Sequence, residues 1–135
     1  MDRDYSQVPI AKKLGIQPDS LIIVINKPAQ YELVLGDIST SLTISSQVNK
    51  PVEFIHSFAT EKKDLIEIFP KLKQILTKTG MLWISWPKKS SKKPTDLDEN
   101  IVMQIGLENG LVDVKVASFD ETWSALKFIY RVKDR

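Results

Sequence analysis

The run Leu21-Ile22-Ile23-Val24-Ile25 constrains this chain more than any other segment. Its five consecutive apolar residues leave no polar side to turn toward water, so a strand made of them must be covered on both faces. A strand covered twice belongs to a parallel or mostly parallel sheet with helices on either side, and the remaining sequence alternates in the way such a sheet requires.

A helix is predicted over residues 7–14, ended by Gly15 with Ile16 folding back onto it. After the first strand, Pro28 suits the first position of a helix reaching Leu35, with Gly36 as its stop. Leu42-Thr43-Ile44 alternates as a half-covered second strand, and Val52-Glu53-Phe54-Ile55-His56-Ser57-Phe58 follows as the third. Over residues 60–78 the positions of Leu65, Ile68, Phe69, Leu72, Ile75 and Leu76 keep helical spacing; Pro70 must kink or split that helix, and Gly80 stops it. Met81-Leu82-Trp83-Ile84-Ser85-Trp86 reads as the fourth strand. Regular alternation puts Trp83 and Trp86 on opposite faces, one in the core and the other at its rim. Thr95, with Asp98 three residues on, resembles a capping box before a helix that presents Leu97, Ile101, Val102 and Ile105 to the sheet and ends at Gly110. Residues 111–116 and 124–131 give the last two strands, and the turn Asp120-Glu121-Thr122-Trp123 is too short for anything but an antiparallel link. The expected fold is therefore a single three-layer, Rossmann-like α/β domain over residues 1–135, mostly parallel with an antiparallel C-terminal strand.

Composition narrows the function classes. With no cysteine, disulfides and thiolate metal sites are excluded, and a reducing, cytoplasmic setting is expected. No apolar run approaches a membrane span, and no basic lead with an apolar stretch opens the chain, so neither insertion nor secretion is expected. Nineteen basic and 17 acidic residues leave a net charge of +2, which speaks against a general nucleic-acid or membrane-surface binder. Positive charge is concentrated locally, at Lys88, Lys89, Lys92 and Lys93.

The opening Lys13-Leu14-Gly15-Ile16, the buried first strand and the block Leu76-Thr77-Lys78-Thr79-Gly80-Met81-Leu82-Trp83-Ile84-Ser85 resemble the frame of class I methyltransferases. Trp86-Pro87-Lys88-Lys89-Ser90-Ser91, Thr95-Asp96-Leu97 and Asp120-Glu121-Thr122-Trp123-Ser124-Ala125-Leu126-Lys127-Phe128 resemble more closely a bacterial family of small proteins with no assigned activity, a likeness covering nearly the whole chain. The first resemblance implies glycines directly after the first strand, where backbone meets cofactor, and an acidic residue after the second, where the ribose is held. Here the first turn reads Asn26-Lys27-Pro28-Ala29-Gln30, and the second strand is followed by Ser45-Ser46-Gln47-Val48-Asn49. Of the five glycines, Gly15, Gly36, Gly80 and Gly110 are assigned as helix stops and Gly106 falls inside a helical pattern. No cofactor is therefore expected, and no S-adenosylmethionine-dependent activity.

Ligands of open α/β sheets sit outside the carboxyl ends of the strands, near the switch in strand order. Methyltransferase-like order makes the first and fourth strands neighbours there, gathering Asn26, Lys27, Trp86, Lys88, Lys89, Asp120, Glu121 and Trp123 as a candidate ligand-binding face. Amines beside aromatic rings suit an anionic, planar ligand; the same lysines also read as a solvated loop. His56, alone of its type, reads as structural, and Asp120 and Glu121 read as turn residues, since neighbours on an extended chain point apart. No catalytic residue and no metal ligand is assigned. The expectation is a non-catalytic binding or interaction module, its partner an anionic small molecule or a protein; the alternative is an enzyme or sensor for a phosphorylated or nucleotide-like compound in the same crevice.

Overall fold

The computed structural model of the chain describes residues 8–135. Its elements run α1 (Ile10–Leu14), β1 (Leu21–Ile25), α2 (Tyr31–Leu35), β2 (Thr43–Ser45), β3 (Val52–Phe58), α3 (Lys62–Ile75), β4 (Leu76–Pro87), α4 (Glu99–Glu108), β5 (Leu111–Ser118) and β6 (Trp123–Tyr130). Short 3-10 turns cover Asp37–Ser41, Lys89–Ser91 and Val132–Asp134. The expected start of the first helix, Gln7, lies outside the described residues.

The strands form one six-stranded sheet in the order β2-β1-β3-β4-β6-β5. β1 pairs in parallel with β2 and β3, and β3 with β4; β6 runs antiparallel to both β4 and β5. The mostly parallel sheet with an antiparallel C-terminal strand is thus as expected. One detail of the expected order is corrected: β3 lies between β1 and β4, so the first and fourth strands are not neighbours.

The apolar run of β1 is divided between two cores by its own two-residue period. Ile23 and Ile25 join Leu65, Phe69 and Leu72 of α3 and Val102 and Ile105 of α4 on one face. Ile22 and Val24 join Leu14 of α1, Tyr31 and Leu35 of α2 and Phe54 of β3 on the other. Trp83 and Trp86 follow the same rule: they belong to opposite cores, and both are buried, so neither is a rim residue. Trp83 also donates its indole N–H to the Leu14 carbonyl at 2.9 Å, pinning α1 to the sheet. The crossover from β2 to β3, residues 46–51, contains no helix; Val48 packs it against the α3 face.

The element boundaries differ from expectation where tertiary contacts override local pattern. Pro28 precedes α2 rather than opening it, its carbonyl accepting the Tyr31 N–H at 3.1 Å. Pro70 neither splits nor ends α3: it lies on the exposed side of one continuous helix, where water can hydrate the carbonyl that loses its donor. α3 ends at Ile75, and Gly80, expected to stop it, sits inside β4. There β3 and β4 change register between the pairs Val52–Leu76 and Phe54–Met81, and a Cβ on Gly80 would stand 2.8 Å from the Glu53 carbonyl. Gly15, Gly36 and Gly110 do end helical segments, at φ of 82°, 84° and 87°. Asp98, not Thr95, caps α4, its Oδ1 accepting the Ile101 N–H at 2.8 Å. Thr95 instead donates to the Thr60 carbonyl at 2.6 Å and ties the loop before α4 to the end of β3.

Candidate functional site

β1 has β2 on one side and β3 on the other, so the order reverses between β1 and β3, and the crevice expected to hold a ligand lies outside their carboxyl ends. The turn after β1 needs a left-handed residue, and Asn26 supplies it at φ 57°, a conformation asparagine tolerates better than most side chains. A glycine would leave that place open. Asn26 instead projects its amide across the switch point, Nδ2 donating to the Phe58 carbonyl at 3.1 Å and joining the end of β1 to the end of β3.

Beneath this bridge the α2 face is filled by rings. Tyr31 stacks on Phe119 at 5.2 Å between centroids, and Phe58 meets Tyr31, Phe119 and Trp123 edge-to-face at 5.7, 5.5 and 5.0 Å. His56 lies within this cluster, 4.3 Å from Phe58, fully buried. Its Nδ1 shares a hydrogen with the Tyr31 hydroxyl at 3.0 Å and its Nε2 with Ser85 Oγ at 2.8 Å. In either tautomer one ring nitrogen donates and the other accepts, so the neutral ring is satisfied on both sides. Burial pushes its pKa down to about 3 and that of Tyr31 well above the usual phenol range. The chain Tyr31–His56–Ser85 is therefore a neutral, closed element of the core, in keeping with the structural role expected of His56.

The other predicted site residues divide into two groups. Lys27 is exposed and pairs with Glu32 of α2, whose carboxyl that hydrogen bond holds below its usual range. Asp120 folds the β5–β6 turn, Oδ1 accepting the N–H groups of Thr122 and Trp123 at 2.8 and 2.9 Å, and Oδ2 accepts Gln30 Nε2 at 3.3 Å. It is the turn residue expected, and it also ties that turn to the start of α2. Glu121 is exposed. Trp123 is buried on the α2 face, with Lys93 Nζ 6.0 Å from its ring centre.

Trp86 lies on the opposite face, so the two tryptophans do not form one platform. Its edge lines a cavity of about 380 Å³ at the carboxyl end of β4, together with Lys88, Lys89, Leu97, Asn100 and Ser124. Asp98 and Glu99 share that wall, so it presents charges of both signs. Lys88 stands between the two groups: its N–H donates to the Thr122 carbonyl at 2.8 Å and its Nζ to Ser118 Oγ at 2.6 Å. Sequence reasoning missed the Asn26–Phe58 bridge and the α4 wall of this cavity. The position of Asn26, directly after a buried strand in a turn without glycine, was the available signal for the first. Among the described residues no cluster of side chains suits a metal ion.

No protein-family model and no curated protein matches the chain. Solved structures do. An S-adenosylmethionine-dependent methyltransferase from Clostridium acetobutylicum superposes with a TM-score of 0.60 at 6% identity, over 89% of this chain and 87% of that one. A SAM-dependent methyltransferase from Aquifex aeolicus gives 0.59 at 15% identity, over 88% and 86%. Magnesium protoporphyrin IX methyltransferase from Synechocystis, with bound SAH, gives 0.52 at 11% identity, over 67% of this chain and 51% of its own, so the chain spans about half of that enzyme's length. At such identities the likeness establishes the methyltransferase-like fold.

Proposed function

We propose that this chain is a non-catalytic binding module built on a methyltransferase-like sheet, with its contact face at the carboxyl edge around Trp86, Lys88, Lys89 and Trp123. The observation that carries the reading is the closed switch point: the Asn26 amide spans it to the Phe58 carbonyl, and Tyr31, Phe58 and Phe119 fill the space behind. A cofactor would have to displace that bridge without glycine backbone to approach and without a carboxylate near Ser45 to hold its ribose. The absence of cysteine fits a bacterial cytoplasm, and no helix among the described residues is long and apolar enough to cross a membrane. Calorimetric titration with S-adenosylmethionine and S-adenosylhomocysteine is expected to show no binding; micromolar affinity for either would sink the reading.

A second reading, a sensor or enzyme for a phosphorylated or nucleotide-like ligand, rests on the cavity beside Trp86, where Lys88 and Lys89 offer ammonium groups and the indole an apolar wall. Thermal-shift screening with nucleotides and phosphorylated metabolites separates the two, because a ligand held only by the folded state raises its melting temperature. Should one class respond, the double variant Lys88→Ala, Lys89→Ala is expected to abolish the response while changing the stability of the unliganded protein by no more than about 0.5 kcal/mol, as surface changes do. An unchanged response would place the ligand elsewhere.

A further inference from the structure

β5 ends the sheet formed by the described residues: its one neighbour there is β6, and no other strand among them pairs with its outer N–H and C=O groups. Proteins protect such edges with short strands or with lysines laid along them. This edge is eight residues long, and Val114 and Val116 are 49% and 52% exposed on it. Its single lysine is drawn aside, Lys115 Nζ donating to the Lys13 carbonyl at 3.2 Å. The register with β6 shifts between Asp113 and Lys115, an irregularity of the kind that protects a strand edge, so the regular half at residues 115–118 is the open part, and it borders a groove. That groove, about 510 Å³, runs between α1 and the edge and is lined by Lys12, Lys13, Lys115, Val116, Ala117 and Ser118. Lys88 adds a fourth ammonium at the Ser118 end. The ion pairs among the described residues are Lys27–Glu32 and Lys63–Glu61, so no carboxylate of the described residues pairs with any of these four lysines.

From this juxtaposition of an open strand edge, exposed valines and unpaired lysines we infer that β5 is a docking site for an extended acidic segment of a partner protein, added as a seventh strand. Each part of the surface has its counterpart in such a segment. Backbone groups pair with the edge, alternate apolar side chains cover the valines, and carboxylates meet the lysines; in strand addition the first sets affinity and the others select the sequence. A nucleic acid would satisfy the ammonium groups alone, since among the described residues no aromatic ring lines the groove for stacking and the strand edge would stay unpaired. Lys88 is shared with the carboxyl-edge cavity, but Lys12, Lys13 and Lys115 line this groove and not that cavity, so a test on Lys12 and Lys13 does not depend on what the cavity holds.

Fluorescence anisotropy with a labelled peptide alternating glutamate and valine tests it. Saturable binding is expected, weakened about tenfold or more by the charge reversals Lys12→Glu and Lys13→Glu together. Methylating alternate backbone amides of the peptide, which leaves the protein untouched, is expected to abolish binding by removing the donors to the edge. Absence of peptide binding, equal affinity for the methylated peptide, or unaltered affinity of the double variant with unaltered circular dichroism would overturn the proposal. So would tighter binding of a single-stranded oligonucleotide of equal charge, or self-association seen by light scattering and lost in Val116→Lys, since the edge would then take a second copy of this chain.

Discussion

At the scale of single residues, the buried hydroxyls around β3 and β4 make a controlled comparison. Ser85 Oγ is bonded to His56, whereas Ser57 Oγ, equally buried on the other face of the sheet, has no partner among the described residues. A satisfied buried group is costly to remove because its partner is orphaned, and an unsatisfied one is not. Ser85→Ala is therefore expected to lower stability by about 1–3 kcal/mol and Ser57→Ala to leave it unchanged or raise it slightly, read from urea midpoints. Equal losses would mean that Ser57 is satisfied by an internal water. His56 supplies a pH dependence with a definite sign. Its pKa is lowered to about 3 in the fold, by burial, from the ordinary imidazole value of 6.5 that it has when unfolded. Between those values the unfolded state binds the extra proton, so stability is complete above pH 6.5 and falls as pH drops toward 3. The fall should amount to about 2 kcal/mol between pH 7.5 and 5, above the range where carboxylates titrate. His56→Gln should flatten that slope; a wild-type profile flat over the same range would show that the ring is not held neutral.

At the scale of elements, α4 reaches the sheet through one missing side chain. A Cβ on Gly106 would stand 2.0 Å from Cε1 of Phe128 in β6, closer than van der Waals contact allows. Helix and strand are thus in contact through a glycine and a ring. Gly106→Ala is expected to cost about 1–3 kcal/mol by overpacking, despite alanine's better helix propensity. Combined with Phe128→Leu, which makes room, the cost should fall below the sum of the single changes in a double-mutant cycle. Additivity would show that the helix simply shifts outward. In the sequence Gly106 simply falls inside a helical pattern, because its reason is one ring brought in from a distant strand. Nothing in the local spacing carries a trace of Phe128. Gly80 is the same case: its reason is the Glu53 carbonyl across a register shift, which local pattern reads as the end of a helix.

At the scale of the whole molecule, the sheet is shared by two cores. β1, β3, β4 and β6 send alternate side chains into each, so neither layer can loosen without exposing the other. Unfolding is expected to be one cooperative transition. Trp86 reports on one core and Trp83 on the other, so variants retaining one or the other tryptophan should share a urea midpoint with far-UV circular dichroism once each is corrected for its own substitutions. Separate midpoints would mean that the layers melt independently. Much of this architecture was legible in the chain itself. The apolar run at β1 demanded cover on both faces, glycines marked the ends of three helical segments, and a four-residue turn allowed only an antiparallel last strand. These are consequences of short-range geometry: side-chain period, backbone handedness and the reach of a turn. The candidate site was legible only in part. Sequence placed Trp86, Lys88, Lys89, Asn26 and Asp120 at strand ends, and there they are. That Trp86 and Trp123 face opposite ways, that β3 separates β1 from β4, and that Asn26 bonds to the Phe58 carbonyl were decided by strand order and packing. Those depend on contacts between residues far apart in the chain, whose pairing no local periodicity encodes.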